Sequence, residues 1–78
     1  MEFVKRISDK IGARTGYALA KYLSVKFSKH YSPQQCTNWL GEQEGMNLAD
    51  LCRLREISGQ SWEQFGADLD REFLHKQG

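Results

Sequence analysis

The sequence predicts an all-α domain of five helices, and three observations lead there. Apolar residues recur at helical spacing along the chain, no stretch alternates strictly as a strand does, and start and stop residues bracket each periodic segment. Phe3, Val4, Ile7 and Ile11 form the first inward stripe, with Gly12 as its stop. Thr15 is placed to cap a second helix that carries Leu19, Ala20, Leu23 and Phe27 on one face. Ser32-Pro33-Gln34-Gln35 is a strong third start signal. Serine stands at the cap, proline at the first helical position, and a glutamine three residues on closes a capping box. That helix turns Cys36, Trp39 and Leu40 inward, and Gly41 and Gly45 punctuate the loop after it. Asn47 caps a fourth helix with Asp50 in its first turn, Leu48, Leu51, Cys52, Leu54 and Ile57 inward, and Gly59 past its end. Ser61 with Gln64 repeats the capping box before a last helix whose inward residues are Trp62, Phe65, Leu69 and Phe73.

Size bounds the function. A chain of 78 residues is one small domain, spanning 1–78, and buries only about 60% of its unfolded surface. A self-contained enzyme with a buried pocket does not fit that scale, so a binding module is expected and an enzyme is not. Apolar residues make up 40% and charged residues 27%, which suits a folded domain rather than a disordered tail. No apolar run approaches the roughly 18 residues of a membrane helix. Met1-Glu2-Phe3-Val4-Lys5-Arg6 lacks the apolar core of a signal peptide, so a cytoplasmic location is expected.

The chemistry-bearing residues are sparse. Two cysteines and two histidines at unrelated spacings predict neither a disulfide framework nor a metal site, and no cofactor is implied. Cys36 and Cys52 fall on inward faces as small hydrophobes, and Trp39 and Trp62 read as core. Asp68 and Asp70, with Glu63 and Glu72, lie on what reads as a solvated helix face without a nucleophile or ligand histidine. His75 suits the negative end of the last helix.

The net charge of +1 conceals two unlike halves. Residues 1–38 carry seven Lys/Arg against two Asp/Glu, net +5; residues 39–78 carry four against eight, net −4. The basic half is the natural side for an anionic partner.

Three segments, in order, resemble one family. Leu19-Ala20-Lys21-Tyr22-Leu23-Ser24-Val25 looks like the L-A-x-x-L-G-V segment of the lambda-repressor-like (Cro/XRE) helix-turn-helix proteins. Ser32-Pro33-Gln34-Gln35-Cys36-Thr37-Asn38-Trp39 resembles their recognition helix. Asn47 to Leu54 and Ser58 to Phe65 resemble the fourth helix and the turn into the fifth. The resemblance covers about residues 3–66, leaving 67–78 as a C-terminal extension. It implies a phage or bacterial transcriptional regulator, a repressor or activator binding double-stranded DNA as a homodimer, with the extension (Phe73, Leu74) as a candidate dimer surface. In such motifs the second helix lays its N-terminal residues against base edges in the major groove. Gln34, Thr37 and Asn38 point outward at helical spacing with Gln35 at the margin; Gln and Asn can bond adenine, and a threonine methyl can touch a thymine methyl. These four are the expected base readers. Lys21, Lys26, Lys29, His30, Tyr31 and Ser32 are the expected contacts to the DNA backbone.

Departures from the pattern are specific. Twelve residues separate Leu23 from Cys36 where about six are usual, so the Lys26–Tyr31 region either lengthens the second helix or enlarges the turn. Ser24 stands at the usual turn glycine, and Gly16 where many members carry a phosphate-touching glutamine. Glu42 and Glu44 after the recognition helix would repel phosphate. These features also suit a protein-interaction module of the same fold, a small phage-type inhibitor or adaptor working through its acidic half.

Overall fold

Five helices form where the start and stop signals place them. The computed structural model describes residues 1–41 and 46–74, so the expectations for Glu42, Glu44, Gly45 and His75 lie outside the described residues. The helices are α1 (Glu2–Ile11), α2 (Gly16–Phe27), α3 (Pro33–Leu40), α4 (Leu48–Ser58) and α5 (Trp62–Phe73). Among the described residues there is no strand, and no helix is long and apolar enough to cross a membrane.

Local chemistry sets most of the boundaries. Gly12 ends α1 at φ +75°, a left-handed conformation that only glycine adopts without steric cost. Thr15 Oγ1 accepts the Ala18 amide at 3.1 Å, Ser32 Oγ that of Gln35 at 3.1 Å, and Ser61 Oγ that of Gln64 at 3.2 Å. The reciprocal capping box appears at α4. Asn47 Oδ1 accepts the Asp50 amide at 2.9 Å while Asp50 Oδ2 accepts the Asn47 amide at 3.3 Å.

α1 is the common partner of the other layers, packing against α3, α4 and α5, while α2 packs mainly on α3. The core joins Phe3, Val4 and Ile7 of α1 to Leu19 and Leu23 of α2, Trp39 of α3, Leu54 of α4 and Phe65 of α5. The Phe3 ring meets Phe65 and Phe73 edge-on, at 5.7 and 6.1 Å between centroids. Phe73 therefore closes the core, and of the two apolar residues expected at a dimer surface only Leu74 is exposed.

Three expectations are corrected. Leu48 is exposed rather than inward. Asp50, Leu54 and Ser58 mark the buried face at i, i+4 and i+8, and Leu48 stands about 120° from Leu54. Trp62 is also exposed, by more than half. Its ring takes cover under the Arg55 guanidinium, 4.8 Å away, instead of in the core. Nor is the α5 carboxylate face uniformly solvated. Asp68 is partly buried, accepts Gln60 Nε2 at 2.8 Å and pairs with Arg6 and Arg71 at 3.6 Å each. Glu72 accepts the Phe3 amide at 3.1 Å and also the Glu2 amide.

That last contact is a helix cap supplied from the far end of the chain. Met1, at the N-cap position of α1, gives no side-chain cap, and the Glu72 carboxylate meets both the free amides and the positive pole of the helix. Glu72→Ala is expected to cost about 1 kcal/mol, lowering Tm by roughly 4–8 °C for a domain this small. Glu72→Gln should cost less and Asp70→Ala, on exposed surface, almost nothing. Thermal melts of the three variants check this; equal Tm values would dismiss the cap.

Candidate nucleic-acid interface

The region between α2 and α3 resolves the enlarged segment into both of its alternatives. Lys26 and Phe27 lengthen α2, and residues 28–32 form the turn. Ser28 takes the left-handed position at φ +51° and ψ +42°, so it fills the conformation expected of Ser24. Ser24 lies inside the helix. Its Oγ accepts the Tyr31 amide at 3.1 Å, which folds the turn back along α2.

Tyr31 corrects the set of expected backbone contacts. It is 3% exposed, with its ring edge-on to Trp39 at 5.8 Å. Its hydroxyl donates to Asp50 Oδ1 at 3.0 Å and accepts from Arg53 Nη1 at 2.8 Å. Desolvation raises its pKa above the ordinary 10.0, opposed by the Arg53 hydrogen bond. The neutral phenol is the form that can donate to Asp50. Tyr31 anchors the turn to α4 and has no free hydroxyl for a phosphate. A buried aromatic within a basic, polar segment carried no local signal of that role.

α3 is held by Cys36 and Trp39, both buried, and shows its polar side to solvent. Gln34 and Thr37 are exposed; Gln35 and Asn38 are half-buried. Gln34 Nε2 donates to Asn38 Oδ1 at 3.0 Å, an i, i+4 pair that orients both amides. One Gln34 N–H, the Gln34 carbonyl and both Asn38 N–H groups remain for a partner.

Gly16 brings α2 to this surface. A Cβ there would lie 2.7 Å from the Pro33 carbonyl oxygen and 2.8 Å from the Thr37 amide, and would overlap Thr37 Oγ1. Glycine thus lets the first turn of α2 press on α3, in the place where the family resemblance expects a glutamine. Of its neighbours in sequence, Arg14 is exposed and 3.5 Å from Asp9, and Tyr17 is 68% exposed.

The expected cations are exposed, and Lys21 and Lys26 flank the outer side of α2. Lys21 and Lys26 stand about 140° apart around α2. Lys26, with Lys29 and His30 in the turn, lies at the end of α2 opposite Gly16, about 15 Å along the axis. Ser32, half-buried, has its hydroxyl engaged in capping α3. Among the described residues no group of three or more His, Cys, Asp or Glu is placed to hold a metal ion. Comparison with protein-family models, curated proteins and solved structures gives no match for this chain.

Two predictions follow the packing of α3. Gly16→Ala overpacks the α2–α3 contact against backbone atoms that cannot rotate away, and is expected to destabilise by about 1–3 kcal/mol in urea denaturation; an unchanged midpoint would mean the helices separate freely. Burial, aided by the Asp50 charge, pushes the Cys36 thiol up to about 11 from its ordinary 9.0. The folded state retains a neutral thiol that the unfolded chain ionises. This contribution is therefore complete below pH 9 and is lost as pH rises from 9 through 11. Between pH 7.5 and 10.5 the wild type should lose about 2 kcal/mol more than Cys36→Val. Parallel pH profiles of the two proteins would remove Cys36 as the cause.

Proposed function

We propose that the protein is a sequence-specific DNA-binding regulator of the lambda-repressor-like helix-turn-helix kind, non-enzymatic, with α3 as its recognition helix. The observation that carries the reading is the exposed Gln34–Asn38 pair beside Thr37, on a helix capped by Ser32 and braced by α2 through Gly16. An α-helix fits the DNA major groove, where Gln and Asn amides match the adenine N6/N7 edge. Gln35, at the margin, assists. The positive N-terminal pole of α3 and the Ser32 region approach a phosphate. Lys29 and His30, both exposed, supply charge from the turn before it.

Phosphate contacts supply affinity and its salt dependence; base contacts supply preference. A single module of this size covers about 600–1,000 Å² of DNA-facing surface. A homodimer on half-sites about 34 Å apart is therefore part of the proposal, with Leu74 as a candidate self-contact.

Selection of bound duplexes from a random pool, at low and at physiological salt, tests the reading. A palindromic motif that persists at the higher salt is expected; enrichment that vanishes with salt would overturn it. With the selected duplex, Gln34→Ala or Asn38→Ala should reduce discrimination by about 1–3 kcal/mol. Lys29→Ala should instead weaken all duplexes alike and lower the salt slope by about 1.

A further inference from the structure

α2 is apolar on the side it turns to solvent as well as on the side it buries. Tyr17 and Val25 are 68% and 76% exposed, and Tyr22 is 37% exposed. With Ile11 and Ala13 from the end of α1, they line an open groove of about 550 Å³. A surface helix ordinarily shows a polar outer face, and a contiguous exposed apolar strip marks an interaction site. Val25 stands about 180° around α2 from Gly16, so the groove opens away from the contact with α3.

The charges on the groove select its occupant. Lys21 and Lys26 line it, both exposed. Neither has an ionic or hydrogen-bonding partner among the described residues. α2 contains no Asp or Glu, and none lines the groove. A second copy pairing through this face would set lysines against lysines without a counter-charge. The acidic α5 of a second copy has its apolar side engaged already, with Phe65 and Phe73 against Phe3. DNA phosphates would satisfy the lysines but leave Tyr22 and Val25 without apolar cover. The complementary object is a helix with an apolar stripe flanked by carboxylates. Tyr17 to Val25 spans about 12 Å of α2, the length of two to three helical turns.

We infer that the outer face of α2 is a docking groove for an acidic amphipathic helix of a partner protein. Apolar side chains at i, i+3 or i+4, and i+7 of the partner lie along Tyr17, Tyr22 and Val25. Its Asp and Glu residues meet Lys21 and Lys26. The inference does not depend on the DNA reading, which rests on the polar side of α3.

Selection from a displayed library of random peptides about 16 residues long, using the full chain as bait, tests it. The expected result is a family of acidic amphipathic sequences. A synthetic representative should bind at least tenfold more tightly than its Glu→Lys counterpart by fluorescence anisotropy. Val25→Asp should weaken it at least tenfold, and Lys21→Glu/Lys26→Glu should reverse the preference toward the basic peptide. All three positions are exposed, and circular dichroism is the check that the variants fold. Val25→Asp should leave duplex binding unchanged, which separates failure here from failure of the DNA reading. No enriched family, no acidic preference, or binding indifferent to these substitutions overturns the proposal. So does a dimer in sedimentation that Val25→Asp dissolves, assigning the groove to a second copy. Loss of duplex binding in Val25→Asp would assign it to DNA, with the same consequence.

Discussion

The buried carboxylate of Asp50 is the group on which the arrangement around α3 depends. It is 3% exposed and joins α4 and its cap to the turn between α2 and α3. One oxygen takes the Tyr31 hydroxyl and lies 3.4 Å from Arg53, while the other takes the Asn47 amide. A single side chain thus starts α4, holds the end of the turn and neutralises a cation. A buried charge is tolerated only while its partners are present, and removing one leaves the other uncompensated. The polar cluster therefore works as a unit. Tyr31 transmits it to α3 through its edge contact with Trp39. The position of α3 is set from inside the domain as well as by the turn before it.

Two surfaces follow from how α2 is held. Gly16 allows close approach to α3, so the helix meets the backbone of its neighbour at Pro33 and Thr37. The buried residues Leu19, Ala20 and Leu23 fix its rotation. With that rotation set, Tyr17, Tyr22 and Val25 are left facing water. A helix with apolar residues around much of its circumference, in a domain with too few neighbours to enclose it, leaves an apolar strip uncovered. The polar side of α3 and the apolar side of α2 are consequences of the same packing.

What was legible in the sequence was mainly local. Thr15, Ser32, Asn47 and Ser61 bond amides three residues away, and Gly12 and Gly59 end helices by their own conformation. The outward orientation of Gln34 and Thr37 needed only helical spacing. Missed features were the non-local ones. Glu72 caps α1 from 69 residues away, and Tyr31 finds its acceptor 19 residues on. Trp62 is drawn to Arg55 on another helix. In each case the residue type was visible, but its partner was supplied by tertiary packing. Ser28 is different: a non-glycine residue in the left-handed region gave no local warning, and the turn glycine expected nearby pointed to Ser24 instead.

The hydrogen bond between Gln34 and Asn38 has a consequence for how α3 would encode a preference. Each amide orients the other, so the donors and acceptors that each turns outward are set by the pair. On the proposed reading, the two residues recognise a short word rather than two independent letters. The preference at one base position then depends on the base at the next. Such a site cannot be described by independent scores at successive positions; its grammar is pairwise.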